Sequence, residues 1–189
     1  MRVVAGRFRG RALTAPEGDE TRPTTDRLRE AVFNILASRL SPDLGGMKVL
    51  DLFAGSGALG IEALSRGADY GVFVETGAAA RGAIRTNLES LGLFGTARIL
   101  RRDATDLGPA GGLGSFRLVF CDPPYGKGLG ERALASALSG GWIAGDGLVV
   151  LEEARKSTIA LPDGLFLIDE RSYGETKVLF LTPDATLAA

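Results

Sequence analysis

Lys48-Val49-Leu50-Asp51-Leu52-Phe53-Ala54-Gly55-Ser56-Gly57-Ala58-Leu59-Gly60 is the stretch on which the fold turns. Its first half is a short apolar run, too brief for a helical period, and predicts a buried strand over 48–53. Its second half has the spacing G-x-G-x-x-G and opens a predicted helix over 58–66, stopped by Gly67. A strand, a glycine turn and a helix in that order begin a doubly wound α/β sheet. Ligands in such sheets bind at the carboxyl ends of the strands.

Downstream the same alternation repeats. Tyr70–Glu75 reads as a second strand, 78–91 as a helix stopped by Gly92, and Ala97–Leu100 as a third strand. Phe116–Cys121 is a fourth strand that must stop at Pro123-Pro124. A helix over 129–138 and a fifth strand, Gly147–Leu151, follow. Leu165–Tyr173 and Thr176–Leu181 flank Gly174-Glu175, a link suited to a type II′ hairpin. The expected class is Rossmann-like α/β: a mostly parallel sheet closed by an antiparallel C-terminal hairpin.

Upstream, Thr24-Thr25-Asp26 signals a helix start, and Leu28, Ala31, Val32, Ile35, Leu36 and Leu40 give it one apolar face. Residues 1–45 therefore read as a basic arm, a turn and a helix appended to a main domain over 46–189. The first thirteen residues hold Arg2, Arg7, Arg9 and Arg11 and no acid, while the whole chain has a net charge of −1. Such an arm predicts an anionic partner held at one place rather than over the whole surface. Arg7, Arg9 and Arg11 alternate, so a small N-terminal β-hairpin would place all three on one face.

The composition excludes several chemistries. The chain has no histidine, which removes His-based triads, imidazole acid–base catalysis and most zinc sites; no metal is expected. Cys121 is the only cysteine, and its place in an apolar strand predicts a small buried residue rather than a nucleophile. The 189 residues are 45% hydrophobic and 24% charged, a globular composition. No apolar run is long enough to span a membrane, and the N-terminus is too charged for a signal peptide. A cytoplasmic protein is expected.

Four acids fall at four consecutive predicted strand ends: Asp51, Glu75, Asp103 and Asp122. Asp51, just before the glycine turn, would crowd the pyrophosphate of a nicotinamide cofactor. S-adenosylmethionine has no phosphate, and its sulfonium and ammonium groups suit a nearby carboxylate. Glu75 can accept from two ribose hydroxyls, and Asp103 from the adenine amino group. Phe53, Gly55, Gly57 and Ala104 complete the expected donor site.

Asp122-Pro123-Pro124-Tyr125 forms a stiff, acceptor-only corner directly after the fourth strand. An exocyclic amine on a base is a poor nucleophile until its lone pair localises. A carboxylate and a proline carbonyl accepting its two protons would favour the pyramidal nitrogen. No strong base is required first, which matches a chain without histidine. Tyr125 is placed to stack on a base drawn out of its stack.

These motifs resemble motifs I and IV of the class I amino-methyltransferases. Arg2-Val3-Val4-Ala5-Gly6-Arg7-Phe8-Arg9-Gly10-Arg11, Thr21-Arg22-Pro23-Thr24-Thr25-Asp26-Arg27-Leu28-Arg29-Glu30 and Tyr173-Gly174-Glu175-Thr176 narrow this. They resemble the bacterial 16S ribosomal RNA guanine-N2 methyltransferase family, RsmD, over about residues 1–182. The resemblance implies seven strands, S-adenosylmethionine as donor (S-adenosylhomocysteine as product), and N2 of one guanine in 16S rRNA as acceptor. It implies the assembled or assembling small ribosomal subunit as partner; no protein partner is expected. Arg7, Arg9, Arg11, Arg22, Arg27 and Lys127 are the expected RNA contacts. Three alternatives remain open on the residues: a DNA adenine-N6 or cytosine-N4, or other, amino-methyltransferase using the same corner, an NAD-binding oxidoreductase, and a non-catalytic RNA-binding factor.

Overall fold

In the computed structural model, residues 1–16 and 25–187 are described. Helix α1, Asp26–Arg39, starts where the hydroxyl signal places it: the Thr25 side chain accepts the Leu28 N–H at 3.2 Å. Its Leu28, Val32, Phe33 and Leu36 are buried. Thr24, also read as part of this start, lies outside the described residues.

Two compact units divide the chain, Met1–Arg101 and Arg102–Ala189. The first holds β1 (Lys48–Leu52), α2 (Ala58–Ser65), β2 (Tyr70–Val74), α3 (Ala78–Ser90) and β3 (Ala97–Leu100). Its strands are parallel in the order β3-β2-β1. Every residue of α2 is buried, including Glu62, as expected for a helix covered on several sides. The second unit holds β4 (Phe116–Cys121), α4 (Leu129–Ser139), β5 (Ile143–Ala154), β6 (Phe166–Tyr173) and β7 (Thr176–Thr182), ordered β4-β5-β7-β6. β4 and β5 are parallel, whereas β5–β7 and β6–β7 are antiparallel. Trp142 anchors this core: it is fully buried, stacks on Phe116 at 6.0 Å and donates its indole N–H to the Gly108 carbonyl at 2.7 Å. The seven strands, parallel first and antiparallel at the C-terminus, are the Rossmann-like α/β class predicted.

Gly174 has φ 59° and Glu175 a negative φ, the signature of a II′ rather than a I′ turn. Two expectations need correction. β5 spans Ile143–Ala154, not Gly147–Leu151. At its start Ile143 pairs with Phe116 ahead of an irregularity, and at its end Glu152, Glu153 and Ala154 stay paired with β7. Ladder hydrogen bonds thus carry two acids that side-chain polarity would place outside a strand. The N-terminal arm doubles back antiparallel, but only the Arg2–Ala12 bridge is strand-like and residues 5–10 are bends and turns. The strict alternation of Arg7, Arg9 and Arg11 along a strand is therefore lost. Backbone capture explains this: Glu62 accepts the N–H groups of Val4 and Ala5 at 2.8 and 2.9 Å, and Ser65 Oγ accepts that of Phe8 at 3.0 Å. The Arg2–Ala12 register would pair Ala5 with Arg9; instead α2 takes the Ala5 N–H, and the Arg9 and Arg11 N–H groups turn back to the Gly6 and Phe8 carbonyls.

Candidate active site

The glycine loop leaves β1 through a sharp reversal. Phe53 has φ 57°, and Gly55 and Gly57 have φ 55° and 79°. A bulky residue at positive φ costs roughly 1–3 kcal/mol and persists only where its surroundings enforce it. Three side chains do so. Glu75 Oε2 accepts the Gly55 N–H at 2.9 Å. Asp51 Oδ2 accepts the Gly60 N–H, in the first turn of α2, at 2.9 Å. Asn87 Nδ2 donates to the Ser56 carbonyl at 2.9 Å.

Glu75, half-buried at the end of β2, also accepts the Gly77 N–H through Oε1 at 2.7 Å. A carboxylate has about four lone-pair sites, so both oxygens retain capacity for ribose hydroxyls. Asp51 differs from its expected role in one respect. It is only 2% exposed and binds the first turn of α2, so it acts on the loop from beneath. The sequence gives no sign of Asn87, because one amide in the middle of a helix carries no spacing signal.

In the second unit Asp103 ends the approach from β3 and caps a short 3₁₀ turn over Ala104–Asp106. Its Oδ1 accepts both the N–H and the hydroxyl of Thr105 at 2.8 Å. These bonds, the backbone one foremost, hold its carboxyl below the ordinary carboxylate value. Asp103 is thus an exposed, ionised acceptor at neutral pH, with Ala104 buried behind it.

The Asp-Pro-Pro-Tyr corner follows β4 without a gap, with Asp122 and Tyr125 half-buried, Pro123 buried and Pro124 exposed. Its brace is a residue that the strand pattern hid. Glu153, 3% exposed on β5, accepts the Gly126 N–H at 2.9 Å, the Ala154 N–H at 2.7 Å and the Ser157 hydroxyl at 3.2 Å. Gly126 directly follows Tyr125, so this carboxylate fixes the exit of the corner. Glu152-Glu153 directly follows the apolar run Gly147–Leu151, so the sequence offers no sign that separates Glu153 from a strand-end charge. Cys121 is buried, as expected.

The arginines of the arm are exposed but not idle. Arg7 lies over the Phe8 ring at 4.6 Å, and Arg11 donates to the Ser90 carbonyl at 2.9 Å. Arg9, Arg27 and Lys127 are exposed, and Arg22 lies outside the described residues. Among the described residues, no helix is long and apolar enough to cross a membrane.

The family model "Conserved hypothetical protein 95" matches residues 1–182. The chain belongs to this family. Ribosomal RNA small subunit methyltransferase D of Escherichia coli (strain K12) is 36% identical over 176 residues, covering 93% of this chain and 86% of its own. The Bacillus subtilis (strain 168) protein YlbH is 38% identical over 183 residues, covering 94% and 96%. Among solved structures, the Escherichia coli protein yhhF superposes with a TM-score of 0.81 at 35% identity and 96% coverage of both chains. The family member described here is a methyltransferase of the Rossmann-like class.

Proposed function

We propose that this enzyme transfers a methyl group from S-adenosylmethionine to the exocyclic N2 amine of one guanine in 16S ribosomal RNA. The observation that carries the proposal is the Asp122–Tyr125 corner at the carboxyl end of β4, braced by Glu153. When bound, S-adenosylmethionine supplies an electrophilic methyl group and departs as S-adenosylhomocysteine. The loop over Gly55–Gly57, set by Asp51 and Phe53, takes the donor's amino-acid end. Glu75 accepts from the ribose, and Asp103 beside Ala104 accepts from the adenine amino group.

At the corner, Asp122 and a proline carbonyl accept the two protons of the guanine amine and localise its lone pair. Pro123 and Pro124 hold these acceptors still, so little reorganisation accompanies the reaction. Tyr125 stacks on the base and offsets part of the cost of withdrawing it from its neighbours. After methyl transfer the cationic nitrogen gives up one proton to the Asp122 carboxylate, which passes it to solvent, in keeping with a chain that lacks histidine.

Relatives named for the small-subunit RNA support rRNA as the substrate, and we take the assembled or assembling small subunit as the particle in which it is met. We take residues 1–45 as the RNA-binding appendage, 46–189 as the catalytic domain, and the cytoplasm as the setting. Mass mapping of modified nucleosides in 16S rRNA, from cells with and without this protein, tests the assignment. One N2-methylguanosine should disappear with the protein. A lost adenine-N6 or cytosine-N4 methyl mark instead would refute the guanine assignment and leave only the amine chemistry.

Arg7, Arg9 and Arg11 are assigned to phosphates and not to chemistry. Replacing all three with alanine should raise KM for rRNA particles and, as long as Thr14 stays bonded to Asn87, leave the S-adenosylhomocysteine affinity of the free enzyme unchanged. The slope of log affinity against log salt should flatten by about 0.7–0.9 for each phosphate no longer neutralised. Parallel salt slopes from two equally folded proteins would remove the arm as the RNA anchor.

A further inference from the structure

Asn87 lies on α3 and is 1% exposed. Both donors of its amide are engaged, and so is its oxygen. Nδ2 donates to the Ser56 carbonyl at 2.9 Å and to the Thr14 carbonyl at 3.0 Å, while Oδ1 accepts the Thr14 N–H at 2.8 Å. These partners fit only one orientation of the amide, because two carbonyls face one side and an N–H the other. Asn87 thus pairs with Thr14 as a neighbouring strand would. At the same time it holds the carbonyl between the two loop glycines.

The glycine loop needs this tether. Gly55 and Gly57, both at positive φ, have no side chains with which to lock themselves. Glu75 fixes the loop at Gly55 N–H and Asp51 fixes the helix that follows at Gly60 N–H. The intervening peptide is held by Asn87 through the Ser56 carbonyl. Unlike the other two tethers, this one is shared with the N-terminal arm.

We propose that Asn87 is a positioning residue that sets the donor loop and couples it to the arm, so that donor affinity depends on how the arm is held. The proposal rests on the reading of the glycine loop as the S-adenosylmethionine site. Donor binding that rigidifies the loop then also rigidifies Thr14, and loosening Thr14 weakens donor binding. The same linkage lets the enzyme bind the donor more tightly when its arm is held on RNA than when the arm is bare.

The test uses the full chain and S-adenosylhomocysteine as the probe. Asn87→Asp keeps the size and the acceptor for Thr14 N–H, but turns an acceptor toward two carbonyls; Asn87→Ala removes the link. By calorimetry both should raise Kd about tenfold, the loss of one or two buried hydrogen bonds. The kcat at saturating donor should stay within about threefold of wild type, whereas KM for the donor rises. A merely structural role predicts a lower melting temperature and a smaller active fraction, with unchanged Kd for the folded protein. That outcome overturns the proposal. Hydrogen exchange on the wild type requires no variant to fold: S-adenosylhomocysteine should slow the Thr14 amide together with Gly55 and Gly57. Protection of the glycines without Thr14 overturns the coupling. Wild type that binds no S-adenosylhomocysteine overturns the donor reading itself, and with it this proposal.

Discussion

Asp122→Ala is expected to lower kcat for methyl transfer by roughly 10²–10³-fold, about 2.7–4 kcal/mol of transition-state stabilisation. The interaction strengthens as the amine nitrogen becomes pyramidal, so the loss falls on the chemical step. Donor affinity should change little. The residues assigned to the donor's amino-acid and ribose ends, and the hydrogen bonds that hold them, lie within Met1–Arg101, whereas Asp122 belongs to Arg102–Ala189. Single-turnover rates with rRNA particles, beside calorimetry with S-adenosylhomocysteine, separate the two quantities. Cys121→Ala is the control and should keep most activity, since Cys121 is buried. An active, folded Asp122→Ala protein and a dead, folded Cys121→Ala protein would together disprove the amine mechanism.

The largest effect on stability is expected at Glu62→Ala, remote from the chemistry. Glu62 is fully buried on α2 and accepts the N–H groups of Val4 and Ala5 as well as Arg66 Nε at 2.9 Å. Arg29, fully buried on α1, reaches it at 3.6 Å and pairs with Asp26 at 2.8 Å. Alanine would leave two amide donors without their acceptor and would take one acid from a buried guanidinium. Breaking a buried charge pair from one side costs about 3–5 kcal/mol. In a chain of this size that lowers Tm by roughly 6–20 °C. Thermal melts of wild type, Glu62→Ala and Glu62→Gln give the measurement, and the glutamine variant should fall between the others. A Tm drop under about 2 °C in the alanine variant would show that the cluster contributes nothing net.

The docking that Glu62 provides explains why the arm departs from its sequence pattern. Alternating arginines describe a hairpin only while the backbone of the segment pairs with itself. Once α2 accepts the amides of Val4, Ala5 and Phe8, the chain turns and the alternation has no strand to act on. The extended β5 has a similar origin: Glu152 and Glu153 look like a strand's end, yet both are buried and paired with Val178 and Lys177.

What the sequence by itself determined is the order of elements, the class of sheet, the glycine turn and the corner after β4. Local physics is sufficient for these. Apolar periodicity selects strand or helix, glycine alone takes the turn at low cost, and two prolines end a strand wherever they fall. What only the tertiary structure decided is which side chains hold those motifs in shape. Asn87 lies 31 residues from Ser56 and 73 from Thr14, and Glu153 lies 27 from Gly126. Nothing in the neighbouring residues distinguishes this asparagine from a solvated one, or this glutamate from a strand-end charge. Their roles arise from burial beside backbone groups brought close by the fold, where a polar group left without a partner costs about 1–3 kcal/mol.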